Sequence, residues 1–182
     1  EDEFRKRIQN QTILEVCRKM PVKKGDVFYI PAGLLHALGA GITVAEIQQS
    51  YDVTYRVYDY NRENANHEKR PLHIEKAALV AGFMPPLAGH RPMGPGIRKN
   101  GYSRTLLVQC PYFVVQLYEI SESVAGDTAE GFQSLLILEG EGILKTRFGE
   151  MSLKAGDSIY LPKETGSYQI IGTLQLLRST EE

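Results

Sequence analysis

The chain has 182 residues, of which 42% are hydrophobic and 24% are charged, and its formal net charge is −1. This composition supports one globular domain, or one domain and part of another, and it has no basic excess that would favour nucleic acid or a membrane surface as partner. No apolar run approaches the ~20 residues of a transmembrane helix. The two cysteines, Cys17 and Cys110, have no C-x-x-C spacing, so we expect free thiols in a reducing cytoplasm.

The first twenty residues predict a small helical element. Phe4 and Ile8 lie at a helical spacing, and Thr12 and Glu15 fit the two ends of a capping box. Pro21 ends the apolar stripe that follows. Because the chain has no initiator methionine and begins inside a helical pattern, we expect it to be a portion of a longer protein.

The sequence becomes rich in β-forming residues after Val22. Three runs have the residue types and the period of two that are typical of strands. They are residues 27–30, 42–48 and 51–58. Glycine and proline turns separate them, and a short helix is predicted at Ile74–Val80, closed by Gly82.

Proline and glycine dominate residues 83–104, which we interpret as a connection between two bodies. Beyond this connection, short strands recur at regular spacing with glycine-bearing turns, a pattern typical of a β-sandwich or barrel. The predicted strands are 105–109, 113–120, 132–138, 142–148, 158–161, 168–171 and 174–178. The predicted fold class is therefore mainly β, with a second β domain at residues 105–182.

An internal repeat relates the two parts of the chain. Residues 22–31, VKKGDVFYIP, recur as residues 153–162, LKAGDSIYLP, at a constant offset of 131 residues. Gly, Asp, Tyr and Pro keep their places, which indicates a Gly-Asp turn, then a strand, then a proline where strand pairing ends. Two such units indicate two related β-barrels in one chain.

The candidate metal ligand is a histidine that follows a tight turn. The spacing Gly25-x5-Pro31-x-Gly33-x2-His36 resembles the second signature of the cupin superfamily, whose jelly-roll barrels bind a metal through this histidine. A neutral imidazole suits Zn²⁺ and similar ions. The equivalent position in the repeat is Ser167, so we expect the second barrel to be metal-free.

The residues after this signature resemble one enzyme family. Residues 46–60, EIQQSYDVTYRVYDY, are similar to the signature stretch of type I mannose-6-phosphate isomerases in their short bacterial form. Residues 71–77, PLHIEKA, resemble the stretch that follows in those enzymes. The resemblance implies that residues 1–82 are the C-terminal part of the catalytic cupin domain, an incomplete barrel with short helices. Residues 105–182 would then be a second, cupin-like domain without metal.

The resemblance also implies a reaction and a cofactor. The reaction would be the zinc-dependent interconversion of mannose 6-phosphate and fructose 6-phosphate through a cis-enediol. One zinc ion would be bound per complete catalytic domain, by His36 and by ligands upstream of Glu1. Since zinc sites need at least three protein ligands, we expect this chain alone to be inactive.

Three further side chains are candidate site residues. The resemblance places Arg56 at the family's active-site arginine, where a permanent cation can hold phosphate or stabilise the enediolate. Glu46 is a candidate catalytic carboxylate, on the premise that its strand face lines the barrel and raises its pKa by desolvation. Gln48 shares that face and is a candidate substrate-binding residue.

Two other functions are weighed against the isomerase. A cupin-derived module that binds a sugar or sugar phosphate without catalysis would explain a unit with a single metal ligand. Another metal-dependent cupin enzyme, such as an oxygenase or epimerase, is disfavoured because those groups do not share the run at residues 48–59. The remaining histidines, His67, His73 and His90, lack a metal-like spacing, and we interpret them as non-ligands.

Overall fold

The computed structural model describes residues 2–51, 53–82 and 90–182. The chain divides into two compact units, Glu1–Val44 with Ser50–Gly89 and Ala45–Gln49 with His90–Glu182. Asp52 of the family signature and residues 83–89 of the predicted connection lie outside the described residues. None of the described helices has the length and apolar character needed to cross a membrane.

The first unit contains three short helical segments. They are α1 Asp2–Gln9, a 3₁₀ turn Ile13–Glu15 and α2 Ile74–Val80. Its small core has four buried members, Ile8, Ile13, Val57 and Ala77. The helix predicted at Ile74–Val80 is confirmed at both ends. The predicted capping box is wrong, because Thr12 makes no side-chain cap bond and the turn after it is only three residues long.

The three strands predicted between residues 27 and 58 are wrong, since the described residues there belong to no strand. A strand is stabilised by hydrogen bonds to a neighbouring strand. In the described part of this unit, the β pairing consists of one isolated bridge between Glu63 and Lys69. Apolar side chains of these runs are therefore exposed, Phe28, Val44 and Tyr51 among them.

The second unit is an eight-stranded antiparallel sheet that bends around one hydrophobic core. Its strands are β1 Gly96–Lys99, β2 Tyr102–Cys110, β3 Phe113–Ile120, β4 Ser123–Asp127, β5 Gln133–Thr146, β6 Gly149–Lys154, β7 Ser158–Leu161 and β8 Ser167–Thr180. The strand order is β1-β2-β3-β8-β5-β6, with β4 paired to β8 and β7 paired to β5. The mainly β prediction is confirmed, and the sheet begins at Gly96, inside the stretch interpreted as a connection.

Two long strands, β5 and β8, stand where the sequence predicts four short ones. Two of the glycines interpreted as turn residues lie where the backbone of the other strand leaves no room for a Cβ. A Cβ at Gly140 would lie 2.1 Å from the carbonyl oxygen of Thr173, and one at Gly172 would lie 2.5 Å from that of Glu141. Both glycines have positive φ angles, 78° and 147°. Glycine here marks a close approach of two backbones within a continuous ladder rather than the end of a strand.

The internal repeat is visible as two turns with the same hydrogen bonds. The Asp26 N–H donates to the Lys23 carbonyl at 3.1 Å, and the Asp26 carboxylate accepts from the Lys23 N–H at 3.0 Å. Asp157 makes the same two bonds with Lys154, at 3.1 Å and 2.9 Å. The glycine before each aspartate has nearly the same φ, 90° and 92°. The turn is therefore a property of the local sequence, whereas the strand after it forms only in the second unit, as β7.

Candidate functional site

His36 follows a turn whose glycine has no room for a side chain. Gly33 has a φ of +84°, and a Cβ there would lie 2.5 Å from the carbonyl oxygen of Val80, at the end of α2. The Gly33 carbonyl accepts a 2.8 Å hydrogen bond from the Gly82 N–H. The signature glycine thus lets the turn pack against α2, and this contact fixes where the His36 side chain begins.

The His36 imidazole is exposed and has the tautomer of a metal ligand. Its Nδ1 lies 2.9 Å from the carbonyl oxygen of Leu34. A carbonyl oxygen only accepts, so Nδ1 carries the proton and Nε2 keeps its lone pair. Metal-bound histidines commonly donate the proton of their second ring nitrogen in this way, which orients the ring.

The described residues do not contain a complete metal site. Within residues 2–51, 53–82 and 90–182, no three His, Cys, Asp or Glu side chains are grouped so that they could hold a metal ion. Zinc sites use at least three protein ligands. His36 therefore fits the role of one ligand, and the donor set around it does not by itself fit zinc.

Arg56 is half-buried and is held at three points by one neighbouring segment. Its N–H donates to Nδ1 of His73 at 3.0 Å, and its carbonyl accepts from the His73 N–H at 2.7 Å. Its Nη1 donates to the Pro71 carbonyl at 3.4 Å. The next residue, Val57, is buried in the core of the unit. Arg56 is thus a cation with a fixed backbone rather than a loose surface arginine.

A buried aspartate beside this segment is a feature that the sequence interpretation missed. Asp59 is 8% exposed and accepts hydrogen bonds from Arg62, at 2.6 Å, and from two nitrogens of Arg70. The hydrogen bonds from Arg70 first, and then the one from Arg62, hold the pKa of Asp59 well below its ordinary value, although burial acts in the opposite direction. The i, i+3 spacing of Asp59 and Arg62 is visible in the sequence, but no local pattern indicates Arg70.

We expect this aspartate to make the stability of the first unit depend on pH. Its pKa is lowered by folding, so its contribution is present above the unfolded value, near 3.8, and is lost as the pH falls toward the folded value. Asp59→Asn should therefore lower the urea midpoint at neutral pH and flatten its further loss between about pH 5 and pH 2. NMR signals of first-unit amides during urea unfolding give the midpoints.

A matched control for the pH experiment is Glu130→Gln, which removes a carboxylate from an exposed turn of the second unit. This variant should keep the wild-type pH dependence of the first-unit signals, because Glu130 lies outside that unit. If Asp59→Asn keeps the same loss of stability on acidification as the wild type, the Asp59 cluster is not its source.

Glu46 and Gln48 belong to the second unit, whereas His36 and Arg56 belong to the first. Both Glu46 and Gln48 are exposed in this chain, and residues 42–48 form no strand, so no barrel face covers Glu46 among the described residues. The alternation of the sequence identifies a face of this run but not what covers it. The hydrogen bonds of His36 and Arg56 go to separate segments, and the roles of all four residues stay predictions.

The position in the second unit that is equivalent to His36 is used for strand pairing. Ser167 is paired with Asp127 across β8 and β4. The Ser167 hydroxyl donates to the Asp127 carboxylate at 2.6 Å, and this bond is the main reason why the pKa of Asp127 is lowered. At this position of the repeat the second unit therefore carries a hydroxyl that links two strands, where the first unit carries an imidazole.

Comparisons with known proteins agree on one family. The family model described as "Mannose-6-phosphate isomerase, cupin domain" matches residues 103–181. A mannose-6-phosphate isomerase of Streptococcus mutans is 38% identical over 161 residues, which are 88% of this chain and 50% of that protein. A probable mannose-6-phosphate isomerase of Bacillus subtilis is 36% identical over 179 residues, 98% of this chain and 56% of that protein.

A solved structure supports the same assignment. The crystal structure of the mannose 6-phosphate isomerase from Bacillus subtilis matches with a TM-score of 0.63 and 33% identity, over 71% of this chain and 40% of that one. This likeness confirms the predicted cupin-type β fold. The chain spans about half the length of the curated relatives it matches. Over most of its own length the chain is therefore similar to the mannose-6-phosphate isomerase family.

Proposed function

We propose that the protein that carries this chain interconverts mannose 6-phosphate and fructose 6-phosphate. The main support is its similarity to mannose-6-phosphate isomerases, with 38% and 36% identity over 88% and 98% of the chain. A match over 179 of 182 residues necessarily includes His36 and Arg56. The family signature and the residues predicted to act in it therefore lie inside the region of similarity.

This isomerisation moves a proton between C1 and C2 of the sugar through a cis-enediol. It needs an electrophile for the developing oxyanion, a base for the proton and a cation that holds the substrate. Zinc, when bound, would supply Lewis-acid polarisation. We propose that His36 is one zinc ligand, through Nε2, and that the others lie outside the described residues.

Arg56 is the proposed cation. A guanidinium stays protonated at physiological pH and presents several donors in one plane, which suits the oxygens of a phosphate or of an enediolate. We propose Glu46 as the carboxylate that transfers the proton and Gln48 as an amide that binds sugar hydroxyls. Glu46 is exposed, so its carboxylate is accessible to a sugar, as this role requires.

A non-catalytic module that binds a sugar phosphate is the second candidate. It is favoured by the observation that, in the part of the chain that the structure describes, His36 does not belong to a group of three side chains that could hold a metal ion. Purified protein of full natural length, supplied with zinc and mannose 6-phosphate, separates the two functions. Formation of fructose 6-phosphate supports the isomerase, and saturable binding without turnover supports the module.

A cytoplasmic location is proposed together with this activity. Cys17 is half-buried, Cys110 is buried, and both are free thiols. Thiols are kept reduced in the cytoplasm, whereas oxidising compartments favour disulfides. Fractionation of cells that express the tagged full-length protein tests this location, and recovery in a secreted fraction would contradict it.

The role proposed for His36 predicts a loss of bound metal. His36→Ala should lower the zinc content of the full-length protein several-fold, because it removes one of a small set of ligands. Elemental analysis after dialysis gives the zinc-to-protein ratio without an activity measurement. His67→Ala is the matched control, since the His67 side chain is 90% exposed. Full zinc occupancy in His36→Ala would show that His36 is not a ligand.

A further inference from the structure

We propose that His73 is a positioning residue for Arg56, an inference that rests on the proposed role of Arg56 in the isomerase. His73 binds both polar groups of the Arg56 backbone. Its ring Nδ1 accepts from the Arg56 N–H at 3.0 Å, and its backbone N–H donates to the Arg56 carbonyl at 2.7 Å. The two residues are 17 positions apart, so no local turn requires their pairing. The pairing is therefore a tertiary contact, and it restrains the backbone of Arg56.

The His73 side chain does not cap its own helix. His73 is the N-cap residue of α2, a position where Ser, Thr, Asp or Asn usually accepts a bond from the first helical N–H groups. The imidazole makes no such cap bond. The His73 carbonyl alone begins the helix, by accepting from the Ala77 N–H at 2.8 Å. The imidazole thus contributes to the position of Arg56 and not to the start of α2.

The hydrogen bond also determines the tautomer of the neutral ring. A backbone N–H only donates, so Nδ1 of His73 must carry a free lone pair, and the proton of the neutral ring lies on Nε2. The ring of Tyr55 lies beside the imidazole, with 6.2 Å between the ring centroids. Nδ1 of the imidazole accepts the hydrogen bond of the Arg56 N–H, as the carbonyl of a neighbouring strand would in a β-ladder.

The hydrogen bonds to the Arg56 backbone determine where its side chain begins, and so restrict the positions that the guanidinium can take. On one side the chain is anchored by Val57, which is buried, and on the other the Pro71 carbonyl accepts from Nη1 at 3.4 Å. A misplacement of about 1 Å in an active site can cost about 100-fold in rate. His73 would thus influence catalysis through Arg56 without touching the substrate.

Two substitutions of His73 distinguish the effect of its hydrogen-bond acceptor from the effect of its size. His73→Leu removes the acceptor, and His73→Asn keeps one, at the amide oxygen. In the full-length protein we expect His73→Leu to lower kcat for mannose 6-phosphate by up to about 100-fold at unchanged zinc content. His73→Asn should lose much less of the wild-type kcat, because it keeps an acceptor. His67→Leu, at an exposed histidine, is the matched control and should keep wild-type kinetics.

NMR of the ¹⁵N-labelled chain gives a readout that does not depend on catalysis. The His73 ring should be protonated on Nε2 and unprotonated on Nδ1. The Arg56 N–H should exchange with solvent about tenfold faster or more in His73→Leu than in the wild type, because its acceptor is lost. Unchanged exchange in His73→Leu, or a proton on Nδ1 in the neutral wild-type ring, would overturn the contact.

The kinetic outcomes are separable from those of the proposed function. Wild-type kcat in His73→Leu would overturn the positioning role. Should His73→Leu fail to fold, His73→Asn decides, because retained kcat supports the acceptor role and a large loss overturns it. Absence of turnover in the wild-type protein, together with the expected Arg56 exchange, would instead overturn the isomerase and with it the kinetic part of this inference.

Discussion

Arg56→Ala is expected to lower kcat/KM for mannose 6-phosphate by about 100- to 1,000-fold while the bound zinc stays unchanged. The loss follows from removing a fixed cation from the position where negative charge resides on the phosphate or develops on the enediolate. Zinc content should not change, because a guanidinium has no lone pair to give a metal. Initial-rate kinetics and elemental analysis of the same full-length preparations measure both quantities.

The way in which the loss divides between kcat and KM identifies what Arg56 holds. A rise in KM at constant kcat indicates a contact made equally in the ground state and the transition state, as expected for the phosphate. An equal fall in kcat and kcat/KM indicates a contact made only in the transition state, as expected for the enediolate. Arg98→Ala, at an exposed position of β1, is the matched control. Unchanged kinetics in Arg56→Ala would contradict the role assigned to it.

The strands of the second unit show what local sequence can predict about the fold. β3 and β7 have the bounds that alternation predicts, because their own residues are strongly β-forming. β1, β4 and β6 were not predicted, since glycine and charged residues give them weak propensity. They form because β2, β8 and β5 offer them a long edge to pair with. Such pairing is a tertiary property that a single segment does not carry.

The same distinction separates the candidate site residues. His36 could be found from the sequence, because the turn that carries it is defined by Gly33 three residues away. The contact between His73 and Arg56 could not, because it joins segments 17 positions apart and the surroundings of His73 are typical of a helix start. Glu46 is exposed in this chain, and the surroundings of such a side chain are not predictable from alternation, which defines a face without saying what covers it.

Gly172→Ala is expected to destabilise the second unit by about 3 to 5 kcal/mol, which combines overpacking with backbone strain. A Cβ at this position would lie 2.5 Å from the Glu141 carbonyl oxygen and 2.6 Å from the Gly142 Cα, both backbone atoms of the paired strand β5. Backbone of a central ladder cannot move away without breaking its hydrogen bonds. Since domains are stable by only about 5–15 kcal/mol, such a loss brings the unit close to unfolding.

Two matched glycines separate the clash from the strain. Gly131→Ala meets no atom within 4 Å and should change stability by less than about 0.5 kcal/mol. Gly156→Ala also meets no atom within 4 Å but has a φ of +92°, so it should show the strain alone, about 1–2 kcal/mol. Urea unfolding followed by circular dichroism should therefore rank the midpoints as Gly131→Ala, Gly156→Ala and Gly172→Ala, from highest to lowest. Equal midpoints for the last two would show that β5 and β8 have room for a methyl group, and that positive φ alone requires glycine in these long strands.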